Sequence, residues 1–117
     1  MQDAARDARL RRLRAVLEQA RRERRTITYL QAADALSIEP PQRIHKLARL
    51  VEILLKEDAD ACKPPLAGLV VSRVRAGLPA PGFFDRAARL GLFDGSDPVR
   101  FHSDLLAELF DSAGSIE

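Results

Sequence analysis

Leu10, Leu13, Leu17 and Ala20 recur at spacings of three, four and three, and that rhythm predicts a helix over Asp3 to Arg25 with one apolar stripe. The series is a short a/d pattern, so the helix either packs across the elements that follow or pairs with another chain; packing within the chain is expected. A second stripe, Tyr29, Ala32, Ala33 and Leu36, begins at Thr28-Tyr29-Leu30-Gln31. That run fits a capping box, in which a threonine hydroxyl and a glutamine amide satisfy orphan backbone groups at a helix start. Ser37-Ile38-Glu39-Pro40-Pro41 interrupts the stripe, because proline excludes helical backbone from the residue before it. The third stripe, Ile44, Leu47, Ala48, Val51, Leu54 and Leu55, predicts a longer helix over residues 41–56 resting on a core along one face.

Glu57 to Ala61 is a polar helix end, and Lys63-Pro64-Pro65 cannot continue a helix. Leu66 to Val74, holding Leu69-Val70-Val71 and Val74, is rich in branched apolar side chains and predicts a strand. Arg75 to Gly82 then supplies turn chemistry, and strand plus loop have the outline of a wing or short β-hairpin. Phe83 to Leu90 reads as a short helix stopped by Gly91, with both phenylalanines in the core. A last helix from Asp97 to Ser112 turns Phe101, Leu105, Leu106, Leu109 and Phe110 inward and Asp104, Glu108 and Asp111 outward. It should close the core, since a chain this small needs its large apolar residues inside, and 114–117 should fray. The expected fold is mainly α: a helix-turn-helix, winged-helix-like core with a short β-hairpin or wing and flanking N- and C-terminal helices. With 117 residues and 46% apolar composition, residues 1–117 suit one domain: a basic helix (1–25), the helix-turn-helix with its strand (26–82) and C-terminal helices (83–113).

Charge sharpens this outline. The formal net charge is only +2, yet 13 basic residues face 7 acidic ones up to Lys56, against 6 and 10 beyond it. Gln42, Arg43, His45, Lys46 and Arg49 project away from the third stripe, at the turns of a recognition helix that meet base edges and phosphates. Arg73 and Arg75 on the wing would touch phosphate. Arg21, Arg22, Arg24 and Arg25, at the end of a first helix carrying nine arginines, would add phosphate contacts without sequence choice. The plain alternative is a set of solvated basic faces. The asymmetry also leaves open a homodimer whose opposite ends attract, or a protein partner.

Little else in the chain carries chemistry. Cys62 is the single cysteine, which excludes an internal disulfide and a multi-cysteine zinc site and favours the cytoplasm. It has no adjacent histidine or arginine to activate it and reads as structural. Residues 1–25 are too charged for an export signal, and no apolar stretch approaches the ~20 residues of a membrane span. There is no glycine-rich phosphate loop, nucleophile elbow or metal-ligand spacing. His45 and His102 are lone histidines suited to polar contacts rather than general-base work. No catalytic residue, metal or cofactor is expected, and the chain does not read as an enzyme.

Ile27-Thr28-Tyr29, the alanine-rich run Gln31 to Leu36, the basic helix Pro41 to Leu55, Pro64-Pro65-Leu66 and Gly77 to Gly82 stand in a telling order. Over residues 26–82 the chain resembles the winged-helix DNA-binding domain of the alkylguanine DNA alkyltransferases and alkyltransferase-like proteins. The resemblance implies binding to double-stranded DNA. It implies no alkyl transfer, because the family's Pro-Cys-His-Arg acceptor motif is replaced by Pro-Leu-Ala-Gly-Leu-Val-Val at residues 65–71. Leu69 to Phe84 is also similar to a segment of small bacterial proteins of unassigned function. The expected function is a cytoplasmic, non-enzymatic DNA-binding protein, a transcriptional regulator or DNA-associated accessory factor. The alternative is a protein-binding adaptor or inhibitor using the acidic last helix or the 78–84 loop.

Overall fold

Helix α1 (Gln2–Arg22) buries Leu10, Leu13, Leu17 and Ala20 in the computed structural model, which describes the backbone of residues 2–113 and the side chains of 4–111. The fraying expected at 114–117 lies outside the described residues. The helix ends short of Arg25 because Arg24 turns into left-handed backbone, φ 57°, and the Arg25 N–H reaches back to the Ala20 carbonyl at 3.0 Å. The same closure follows α2 (Tyr29–Ala35), α3 (Arg43–Asp60) and α4 (Pro81–Arg89), at Ser37, Cys62 and Gly91 respectively. Glycine normally holds this position, since a Cβ in left-handed backbone costs roughly 1 kcal/mol. Only α4 uses one. Cys62, exposed, is therefore a helix terminator, and its single close backbone tie is its N–H to the Ala59 carbonyl at 3.1 Å.

The capping box forms as expected: the Thr28 hydroxyl accepts from the Gln31 N–H and the Gln31 side-chain oxygen accepts from the Thr28 N–H, both at 3.0 Å. Just before it, β1 (Ile27–Thr28) pairs in parallel with β2 (Val70–Val71), Ile27 opposite Val70. The turn from α2 to α3 contains a cis peptide bond between Pro40 and Pro41. Helix α3 then buries Leu47, Leu50, Val51, Leu54 and Leu55, each stabilising the fold by about 1.5–3 kcal/mol before entropic costs. The expected stripe fails at its start. Ile44 is 52% exposed and the turn residue Ile38 is buried in its stead, while Leu50 joins the core because α1 covers that flank.

The strand expected over Leu66–Val74 is mostly absent. Leu66–Leu69 is a 3-10 turn, only Val70 and Val71 are extended, and Arg73–Arg75 is a second 3-10 turn. Among the described residues β2 has one partner, the parallel β1, so the chain folds back into no β-hairpin there. Leu66 to Val70 is buried on every side, and its apolar run signals burial rather than a pleated surface. The loop beyond is pinned: the Ala80 N–H donates to the Tyr29 hydroxyl at 3.0 Å, and the Ser72 N–H to the Leu78 carbonyl at 2.8 Å. The result is a mainly helical fold with a two-strand parallel bridge.

Helix α5 (Pro98–Ala113) closes the core with Leu105 and Leu109, while Phe101, Leu106 and Phe110 pack half-buried at its margin. Phe83, Phe84, Phe93 and Phe101 stack where α4 meets α5. Gly68 is required for this closure, because a Cβ there would stand 2.5 Å from Leu105 Cδ2. Its carbonyl meets His102 Nε2 at 2.8 Å; a carbonyl only accepts, so that nitrogen carries the proton. Asp58, 3% exposed, accepts from the Leu66 N–H at 3.0 Å and from Arg14 Nη1 at 2.9 Å, joining α1, α3 and the first 3-10 turn.

Replacing Cys62 with glycine should relieve the left-handed strain after α3 and stabilise the protein by about 0.5–1 kcal/mol, read as a higher urea midpoint with unchanged slope. Burial holds the His102 ring below its ordinary pKa, against the opposing pull of the Gly68 carbonyl. The folded state therefore binds fewer protons than the unfolded chain, whose histidine titrates near ~6.5. Stability should be full above that pH and fall as pH drops below it; urea titrations at stepped pH on wild type and His102→Gln would show the fall flattened in the variant.

Candidate nucleic-acid interface

Helix α3 presents two kinds of cation on its outer surface. Arg43 and Lys46 turn back onto the chain: Arg43 Nε donates to the Ile38 carbonyl at 2.8 Å while its Nη2 pairs with Asp34, and Lys46 Nζ donates to the Glu39 carbonyl at 3.1 Å. These bonds satisfy carbonyls of the turn between α2 and α3, so both side chains brace it. Arg49, one turn further along, is exposed and makes no hydrogen bond or ion pair among the described residues. Gln42 and His45 are exposed as expected, and Gln42 holds left-handed backbone, φ 59°, at the start of the helix without capping it.

Beside Arg49 the first helix contributes what the sequence did not single out. Arg6 and Arg9, one turn apart near the start of α1, join Lys46 and Arg49 around a cleft of about 440 Å3 floored by Ala5, Leu50 and Ile53. Among the described residues no carboxylate lines it. Arg6 and Arg9 are exposed and, among the described residues, have no ion-pair partner. The cleft exists because α1 and α3 run side by side, a register fixed further along where Arg14 meets Glu57 at 3.0 Å and Asp58 at 2.9 Å. Arg6 and Arg9 do follow from the chain once the two helices are known to be parallel, since they precede Arg14 on α1 as Lys46 and Arg49 precede Asp58 on α3.

The other expected residues lie elsewhere. Arg21, Arg22, Arg24 and Arg25 stand at the far end of α1, about 24 Å along the axis from Arg6 at the usual rise per residue. Arg21 pairs with Glu18 at 2.8 Å, Arg22 donates to Gln19 at 2.8 Å and Arg25 pairs with Glu23, so three of these arginines are engaged locally while Arg24 caps the helix. Arg75 donates to the Pro79 carbonyl at 3.1 Å, whereas Arg73 is exposed at the tip of the second 3-10 turn beside Val74, 93% exposed. Tyr29, whose phenol burial raises above its ordinary value, anchors that loop through Ala80. In the 78–84 segment Pro79, Phe83 and Phe84 are buried, Leu78, Ala80 and Gly82 are half-buried and Pro81 is exposed.

Four cations over an apolar floor, with no carboxylate among the described lining residues, can hold phosphate groups while excluding water from the stems of their side chains. Among the described residues no group of three or more His, Cys, Asp or Glu side chains is placed to hold a metal ion. No described helix is long and apolar enough to cross a membrane. Compared with protein-family models, curated proteins and solved structures, the chain matches none of them.

Two arginines of one helix should thus behave differently. Arg43→Ala, which strands a turn carbonyl and the Asp34 carboxylate, should cost about 1–2 kcal/mol, whereas Arg49→Ala should stay within about 0.5 kcal/mol of wild type. Urea denaturation of both variants makes the comparison; equal losses would contradict the bracing role.

Proposed function

We propose that the protein is a small, non-enzymatic DNA-binding protein, a transcriptional regulator or DNA-associated accessory factor. In this reading α2, its turn and α3 act as a helix-turn-helix, with α3 entering the groove. The observation that carries the reading is the cleft of Arg6, Arg9, Lys46 and Arg49: it gathers cations from two helices, and among the described residues no carboxylate lines it. Such a surface suits the regularly spaced phosphates of a duplex, whose binding releases counterions. Arg73, exposed on the turn that replaces the expected wing, adds a phosphate contact at a second place. The resemblance of residues 26–82 to the alkyltransferase DNA-binding domain supports the same conclusion, with no acceptor cysteine to make it an enzyme.

A second reading has one observation in its favour. Between α4 and α5 a recess of about 570 Å3 is lined by Phe93 and Phe101 and rimmed by Asp94, Asp97 and Asp104, which suits a basic, apolar protein segment. The charge of the α1–α3 cleft plays no part in that reading, and the DNA reading accounts for it.

The test is fluorescence anisotropy with mixed-sequence duplex DNA over a salt series. Wild-type affinity should fall linearly on logarithmic axes, each phosphate contact adding about 0.9 to the slope. Arg6→Glu/Arg9→Glu/Arg49→Glu should abolish binding while keeping the native melting curve, since none of these residues braces the fold. Absence of binding at low salt would sink the proposal and turn attention to the α4–α5 recess.

A further inference from the structure

The cleft would supply affinity without choice of sequence, and the residues that could choose lie on another flank of α3, Ile44 standing about 140° around the helix axis from Arg49 at the usual turn per residue. Ile44 is 52% exposed and Leu30 42% exposed; with Pro40 they form a shallow apolar recess whose remaining lining is Gln42, Arg43 and His45. Among the described residues no carboxylate lines this recess. A single exposed aliphatic residue is ordinary, but a group of them on a basic surface marks a contact site. The occupant must offer anions to Arg6, Arg9 and Arg49 and, across the exposed face of α3, an apolar group to Ile44.

Double-stranded DNA meets both demands in its major groove. Thymine presents a C5-methyl group there, and adenine presents an N7 acceptor beside an N6 donor, the pair that a glutamine amide matches. Guanine is ordinarily read by arginine or lysine through O6 and N7. At this turn that pairing is pre-empted, because Arg43 is held by Ile38 and Asp34, and Lys46 by Glu39. Gln42, Ile44 and His45 are left exposed to face the bases. RNA is a poorer match: uracil lacks the methyl group, and the deep, narrow major groove of an RNA helix does not admit side chains.

We propose that the Leu30–Ile44 recess reads A·T base pairs, Ile44 packing on the thymine methyl and the Gln42 side chain pairing with the adjacent adenine. This rests on the DNA-binding reading above and adds the residues that set sequence preference. Ile44 is then a specificity-determining residue, and its exposure is the condition of that role.

The decisive experiment measures anisotropy on an alternating A·T duplex and on the same duplex with deoxyuridine in place of thymidine, a change that removes the methyl and leaves charge and pairing intact. Wild type should bind the thymine duplex roughly fourfold more tightly for each methyl contacted, following the usual worth of a buried methyl group. Ile44→Ala should bind both duplexes alike with the wild-type salt slope, and its melting curve should match wild type because the side chain is exposed. Gln42→Ala should show a weakened preference for the A·T duplex over a G·C duplex while still distinguishing thymine from uracil. Equal wild-type binding to the thymine and uracil duplexes, with salt dependence intact, would overturn the methyl readout and leave DNA binding standing. A thymine preference that survives in Ile44→Ala would overturn the role of this residue. Failure to bind any duplex at low salt would remove the DNA reading and this inference with it.

Discussion

A carboxylate out of water must be paired, and Asp58 is the place where this chain meets that demand. At 3% exposure it takes one hydrogen bond from the Leu66 backbone and one from the Arg14 guanidinium. Desolvating an ion costs several kcal/mol, so these partners are obligatory companions more than a source of net stability. Much of the geometry follows from the pairing. Arg14 sets α1 alongside α3, which brings Arg6 and Arg9 over Leu50. Leu66 begins the buried turn whose continuation, β2, bridges to β1 and so places the start of α2. The carboxylate lies in the last turn of α3, where its charge opposes the helix dipole. The guanidinium compensates for this.

The helices were legible from their own residues because each relies on local signals: the three-four stripe of α1, the Thr28–Gln31 capping box, the Gly91 stop. What could not be read depended on partners distant in the chain. Leu66 to Val74 has the side chains of a strand, yet whether such a run extends is decided by what lies beside it; here α1, α3 and α5 surround it and Gly68 lets α5 approach. Ile44 fits the α3 stripe perfectly in spacing and still lies outside, because periodicity gives a direction around a helix and says nothing of whether a neighbour stands there. The basic residues show the same division. That Arg43, Lys46 and Arg49 face outward followed from the pattern. That two of them are spent on the turn while Arg49 is open, and that Arg6 and Arg9 complete its cleft, required knowing which backbone carbonyls lie within reach.

A small helical domain hosts many activities, so the proposed function rests on the surface rather than on the fold. In the proposed reading, two duties that a recognition helix often assigns to the same residues fall to different ones. Arg43 and Lys46 hold the turn; Arg49, with Arg6 and Arg9, has no ion-pair partner among the described residues; and the first turn of α3 is left with uncharged or weakly basic side chains. Affinity and selectivity in the proposed complex would then come from different helices and could be altered separately.

Helix α3 is fastened at both extremities, by Arg43 and Lys46 at its beginning and by Asp58 at its end. A shift of one residue in its rotation, about 100°, would have to break the bonds at both ends at once. The helix behaves like an axle seated in two bearings that have been locked. Whatever docks against it meets a backbone orientation already chosen, so the ordering that opposes association is confined to exposed side chains such as Arg6, Arg9 and Arg49. Encounter, rather than rearrangement of the protein, would govern how fast such a complex forms.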